Sequence, residues 1–291
     1  MNKGRNNAMI CEFCREIGFT QEAENVFADA FDKLKSDDEL FGKVCGAMDE
    51  YFMKETLFYE NVLNEVSKKL GISIYTINMV FLIMCAKPLR YMFYIKGYSD
   101  ELYLNTMKDM IYKADECRKL YGVWGTFVLD WYRFFCKCNV FALGRLQFQE
   151  ISSPVDYKDI VKKGDRIIAT HIPSGSPLKI EDVHKSFDEA YKFFGGNGEK
   201  MVFSCHSWLL YPPQYEMYAE GSNLRKFYDI WDITNVEESN GNFWRVFYKP
   251  EGYDLSKIVP ETSLAKKLLE YLKSGGSMGF SRGIYVYSPS K

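Results

Sequence analysis

The residues best suited to chemistry gather between Arg166 and Leu210. There, His171 precedes Pro173-Ser174-Gly175-Ser176-Pro177, and Cys205-His206-Ser207-Trp208 follows about thirty residues later. His171, with an ordinary pKa near ~6.5, can act as a general base around neutrality. The competing reading is a ring that hydrogen-bonds its own loop and only holds its shape. Cys205 can serve as a nucleophile activated by His171 if their strands are neighbours, although most thiols on an aromatic-rich strand are simply packed. Ser207 offers a hydroxyl to a substrate or, equally, to neighbouring backbone. Upstream, Arg145 and Gln147 alternate onto one strand face. A guanidinium there suits two-point contact with a carboxylate or phosphate, and a salt bridge to one of the many acids is the alternative. Trp208 supplies a flat surface on which a sugar or small metabolite can stack. His206 is expected to be structural, as is His184, which falls on the apolar side of its helix with Ile180 and Phe187.

Positioning these groups requires particular elements. Asp165 to Ile172 alternates as a strand that places His171 at its carboxyl end. After the Pro173–Pro177 turn, Ile180, Val183, Phe187, Ala190, Tyr191 and Phe194 recur at helical spacing, and Gly195-Gly196-Asn197-Gly198 stops the helix. Met201 to Leu210 alternates again, so a parallel strand, helix, strand unit is predicted. Open α/β sheets put ligands at such carboxyl ends, and the helix start beside Ser174, Gly175 and Ser176 favours an anion through its N–H groups and dipole. Before this unit, Phe141 to Ser152 reads as one strand. After it come a helix capped at Ser222 with Asn223 in its first turn, a strand from Phe243 to Lys249, a helix from Thr262 or Ser263 to Gly275, and a strand from Arg282 to Ser288. Thr20 to Asn139 is helical in pattern, with Ser36 or Asp37 as a cap and Pro88 marking a helix end or kink.

Composition bounds the function classes. At 291 residues two domains are expected, and 47% hydrophobic residues with 22 Phe and 21 Tyr supply a large core. A formal charge of −2 argues against a nucleic-acid partner. No apolar run meets the ~20 residues of a membrane span, and the amino end lacks a signal-peptide core, so a cytoplasmic protein is expected. Eight cysteines without a secretion signal read as reduced thiols. The Cys11/Cys14 and Cys136/Cys138 pairs sit beside apolar residues, so no metal is expected.

Four segments in order carry a family resemblance: Gly144-Arg145-Leu146-Gln147-Phe148, His171-Ile172-Pro173-Ser174-Gly175, Cys205-His206-Ser207-Trp208-Leu209-Leu210, and Ser222-Asn223. The chain resembles, over nearly its whole length, the bacterial acyltransferase-like proteins that pair a helical N-acyltransferase amino-terminal domain with a GNAT-like carboxyl-terminal domain. The resemblance implies an α+β or α/β chain, with an all-helical domain at residues 1–139 and a GNAT-like mixed sheet with crossover helices at residues 140–291. It implies direct transfer of an acyl group from acyl-CoA, as co-substrate, to an amine acceptor. On that reading His171, Ser207 and Cys205 are the catalytic candidates, and Ser174, Gly175 and Ser176 hold the coenzyme A phosphates. Arg145, Gln147, Trp208, Ser222 and Asn223 meet the substrates. Ordinary GNAT enzymes use a glycine-rich R/Q-x-x-G-x-G/A loop where this chain has Pro173–Pro177, which offers fewer N–H groups. The alternatives are a non-catalytic small-molecule or carbohydrate-binding module on the same cleft and a Cys205–His171 thiol hydrolase.

Overall fold

A computed structural model describes residues 7–53 and 58–289. Its contacts divide into two compact units, Met1–Phe141 and Ala142–Lys291.

The first unit contains α1 (Ala8–Ile17), α2 (Gln21–Lys35), α3 (Asp38–Met53), α4 (Phe58–Leu70), α5 (Ile74–Ile95), α6 (Asp100–Met107), α7 (Asp109–Tyr121) and α8 (Tyr132–Cys136). Side-chain oxygens of Thr20, Asp37, Ser73 and Ser99 accept the N–H groups of Ala23, Leu40, Tyr75 and Leu102, which satisfies donors that a helix start leaves open. An apolar sequence on all sides makes α5 the core helix: Ile77, Met79 to Ala86, Leu89 and Phe93 are buried, with α1, α2, α4 and α6 packed around them. The helix continues past Pro88 to Ile95, so the proline, where the sequence pointed to an end or a kink, does not end it. The prolyl residue is exposed, on the solvent side of a helix held by packing on its other faces.

The division between the units falls inside β1 (Val140–Leu143), which is followed by β2 (Leu146–Ser152), β3 (Arg166–His171), α9 (Ile180–Phe193), β4 (Met201–Ser207), α10 (Asn223–Tyr228), β5 (Asp232–Glu238), α11 (Phe243–Phe247), α12 (Ser263–Lys273) and β6 (Gly279–Tyr287). The strand order is β1-β2-β3-β4-β6-β5, with β3 and β4 parallel and the pairs β2–β3, β4–β6 and β5–β6 antiparallel. A helical first half and a mixed sheet whose parallel strands are joined through a helix are thus present, as the sequence pattern indicated.

Several local expectations fail for identifiable reasons. The segment Phe141 to Ser152 is two strands joined at Gly144, whose φ of +64° suits glycine and turns the chain. Arg145 therefore lies in the turn, not on the strand face with Gln147. Phe243 to Phe247 is α11, because Phe243 and Phe247, four apart, bring their rings to 4.7 Å and bury together with Leu268 and Met278. A short aromatic run carries no period by which to tell helix from strand. The strand β5 gave no sequence signal, since most of its side chains are polar and exposed and it holds to β6 through backbone. Met201 to Leu210 leaves strand geometry at Ser207 and continues as a 3-10 turn. His184 is exposed, not part of its helix's buried face.

The two sheet faces differ. Phe148, Phe203 and Tyr285 meet Phe187 of α9 at ring distances of 5.7, 4.9 and 5.0 Å. The opposite face bears Ile151, Ile167, Val202, Ile284 and Val286 under Tyr157 and Val161 at one end, and Gln147, Gln149, His171, His206 and Arg282 toward the other. Phe187 is fully buried, so Phe187→Ala is expected to cost about 3–5 kcal/mol through lost contacts and a cavity, read as a lower urea midpoint for the second unit.

Candidate active site

The parallel ladder between β3 and β4 is short. It registers Ile168 with Phe203, Ala169 with Ser204 and Thr170 with Cys205, and ends there although both strands continue. His171 and His206 each lie one residue beyond the last pair, so their side chains share the face opposite Thr170 and Cys205. That face continues outward through register: Gln147 partners His171, and Arg282 partners His206.

His171 is half-buried, and its Nε2 lies 3.1 Å from Gln149 Oε1. An amide oxygen only accepts, so Nε2 carries the proton in this contact and Nδ1 is the basic nitrogen. Burial lowers the ring's pKa to about 4. Gln149 is itself buried, and its distance of two residues from Gln147 in an alternating strand was the signal that could have found it. His206 is exposed, with its ring edge-on to Phe280 at 4.6 Å, and its pKa is lowered by partial burial and by the Arg282 charge.

Cys205 does not meet His171. It points to the other face, is buried, and its thiol is pushed up to about 12 by burial. A thiol there is protonated and out of the imidazole's reach, so the thiol-hydrolase alternative has no nucleophile–base pair. Ser207 shares the Cys205 face, and its Oγ accepts the Leu209 N–H at 3.2 Å, opening the 3-10 turn that carries half-buried Trp208.

The turn after β3 is exposed at Ser174, Gly175 and Ser176, and Gly175 takes φ +110°. Arg145 holds it. Its guanidinium donates to the carbonyls of Pro173 at 2.9 Å, Ser176 at 3.0 Å and Pro177 at 3.4 Å. The Arg145 N–H donates to Ser186 Oγ at 2.7 Å, fastening the turn between β1 and β2 to α9. Because C=O and N–H of a trans peptide point in opposite directions, Arg145 draws the Pro173 carbonyl one way and aims the Ser174 N–H the other. Ser222 caps α10 by accepting the Arg225 N–H at 3.3 Å, while Asn223 Oδ1 accepts the Ile180 N–H at 3.2 Å. One of the open N–H groups of α9 is thereby used, and Glu181 and Asp182 in its first turn already answer the helix dipole. The structure thus brings His171 and Gln147 onto one face and the Ser174–Ser176 turn to the same strand end. It employs Arg145, Ser222 and Asn223 in holding that end together.

Among the described residues no group of three or more His, Cys, Asp or Glu is placed to hold a metal ion, and no helix is long and apolar enough to cross a membrane. Residues 9–138 match the N-acyltransferase N-terminal domain, and residues 140–285 match the GNAT-like C-terminal domain. The chain belongs to this GNAT-like acyltransferase family. The fold is shared with crystal structures of acyltransferases: one in complex with decanoyl-CoA (TM-score 0.76, 19% identity, 96% of this chain and 87% of that chain), and one with decanoyl-CoA and teicoplanin (TM-score 0.72, 19% identity, 94% and 86%). A mutant acyltransferase with octanoyl-CoA is also similar (TM-score 0.73, 18% identity, 96% and 87%). Comparison with curated proteins found no match.

In this GNAT-like chain the half-buried imidazole has a consequence for stability. Folded His171 stays neutral down to about pH 4, whereas an unfolded chain protonates it near ~6.5. Between those values the unfolded state binds more protons, so stability is full above about pH 6.5 and is lost as pH falls toward 4. His171→Gln removes that contribution, and thermal melts from about pH 7 to about pH 4.5 should show the variant losing less stability than the parent. Equal slopes would mean that the ring is not held neutral.

Proposed function

We propose that the chain moves an acyl group from acyl-CoA to an amine acceptor by direct transfer, with the site on residues 140–291 and residues 1–139 forming a separate helical domain. The observation that carries this reading is the parallel β3–β4 pair that stops at Thr170 and Cys205, with a neutral imidazole at its tip and an arginine-braced turn beside it. The acyl-CoA bound to the acyltransferases of the same fold supports the donor.

Acyl transfer forms a C–N bond between the amine and the thioester carbonyl carbon, breaks the C–S bond and sheds one proton from nitrogen. His171 Nδ1 takes that proton, and the thiolate of coenzyme A takes one from solvent. A base with a pKa of about 4 is too weak to deprotonate a resting ammonium, so the amine must arrive neutral and its proton must move once attack has made the nitrogen acidic. Ser174, Gly175 and Ser176 face the phosphates. Arg145 acts through the turn it braces, and Gln149 acts as a positioning residue that fixes the imidazole tautomer. Cys205 takes no covalent part, and Ser207, on the other face from His171, is assigned no step. Gln147 and Trp208 remain candidates for contact with the acceptor.

Calorimetry should detect coenzyme A with micromolar affinity, about −8 kcal/mol, weakened about tenfold by Arg145→Ala as the turn loses its brace. No binding by coenzyme A or any acyl-CoA would remove this reading. Binding without turnover on any amine would mark a non-catalytic binding module. His171→Gln should retain the donor affinity while kcat falls by roughly 10²–10⁴. With the amine saturating, the acid limb of kcat that belongs to His171 should lie near pH 4, not 6.5, and be absent from the variant. Unchanged kcat in a folded variant would make His171 a brace for its loop.

A further inference from the structure

Arg282 is the unusual cation of the sheet. In the second unit Arg145 donates to loop carbonyls, Arg166 to Glu150 and the Phe194 carbonyl, Arg225 pairs with Glu216, and Arg245 donates to Asn242. The Arg282 side chain has no hydrogen bond and no ion pair among the described residues, although the chain is half-buried and its Nε is shut off from solvent. A buried N–H donor without an acceptor is costly, and an oxyanion beside it would supply that acceptor together with the opposite charge. The nearby acid does not do so. Glu237, on the neighbouring strand, accepts from Asn235 Nδ2 at 2.5 Å and forms no ion pair with the guanidinium.

Register places this cation. Arg282 partners His206 on one side and Asn235 on the other, and His206 and His171 follow the last pair of the parallel ladder. Gln147 and His171 on one side, and His206, Arg282 and Asn235 on the other, therefore share one face and meet where the parallel ladder ends. Paired strands lie about 4.8 Å apart, so the backbones of Thr170 and Gly283, the neighbours of His171 and Arg282 in their strands, stand about 10 Å apart. A planar guanidinium offers Nε–H and one terminal N–H side by side, the spacing of two oxygens on a carboxylate or phosphate.

We propose that Arg282 is an anion-binding site of the acceptor, selecting amines that carry a carboxylate or phosphate about 10 Å from the reacting nitrogen. The proposal rests on the reading of His171 as the base that serves that nitrogen. It names a substrate class: acyl acceptors that are both amine and oxyanion. His206, exposed beside the guanidinium, lines the path between the two ends.

The test uses the full chain and two probes, ω-aminooctanoate and octylamine, which differ only in the carboxylate. In the NMR spectrum the Arg282 Nε–H resonance, assigned by its loss in Arg282→Gln, should shift on titration with ω-aminooctanoate and not with octylamine. No shift in the folded parent overturns the site whether or not acyl transfer is seen. In the transfer assay kcat/KM should favour ω-aminooctanoate about tenfold, through KM, and Arg282→Gln should erase the preference. A preference that survives the substitution, or equal use of both amines by the parent, also overturns it. A shift without transfer to either amine upholds the anion site and removes the acyl-transfer reading. ω-Aminooctyl phosphate in place of the carboxylate distinguishes the two oxyanions. If coenzyme A alone shifts the same resonance and blocks ω-aminooctanoate, the site belongs to the donor and the acceptor assignment is overturned.

Discussion

The alternation of side chains across three paired residues of β3 and β4 governs the rest of the site. Because successive residues of a strand face opposite ways, pairing Thr170 with Cys205 commits His171, His206 and Arg282 to one face and Cys205, Ser207 and Gly283 to the other. A slip of one residue would exchange the two sets. Packing on both faces prevents it: Phe203 and Phe148 are fitted to Phe187, while Ile167, Val202 and Ile284 are held near Tyr157 and Val161. Gly283 shows how close the fit is. A Cβ there would lie 2.6 Å from Trp231 Cβ, so the residue opposite Cys205 has room for no side chain.

The same commitment separates the polar end of the sheet from its reactive-looking thiol. Seven of the eight cysteines are buried, Cys45 being the exposed one. Burial raises Cys14, Cys117 and Cys205 to about 12 and Cys138 to about 11. These thiols behave as small apolar side chains. The identical physical effect, desolvation of the charged form, acts on His171 in the opposite sense and keeps it neutral at physiological pH. A single environment thus silences a sulfur nucleophile and preserves a nitrogen acceptor for protons.

Arg145 links the strand end to the turn it faces. Gly144 brings its backbone so near α9 that a Cβ would lie 2.6 Å from Ser186 Oγ, and this approach delivers the guanidinium to three carbonyls of the proline-flanked turn. Two prolines remove N–H groups that a glycine-rich loop would offer a phosphate. Fixing the carbonyls on one side is how this turn orders the amides it retains.

Amphipathic spacing in the sequence was sufficient for the helical first half, α9, α12, β3, β4 and the caps at Asp37, Ser222 and Thr262, because periodic burial and local hydrogen bonds are written in neighbouring residues. The four ordered motifs carried the family. Local sequence did not separate α11 from a strand, nor reveal β5, whose pairing partner lies more than forty residues away and is held by backbone. It placed His171 at a strand end but could not say that Gln149 lies against one of its ring nitrogens, that Cys205 faces away from it, or that Arg282 shares its face with a buried Nε that has no acceptor. Those facts depend on register between strands distant in sequence. Side-chain direction within one strand follows from its own order, whereas which strands lie side by side, and at what offset, is decided only when the whole sheet packs.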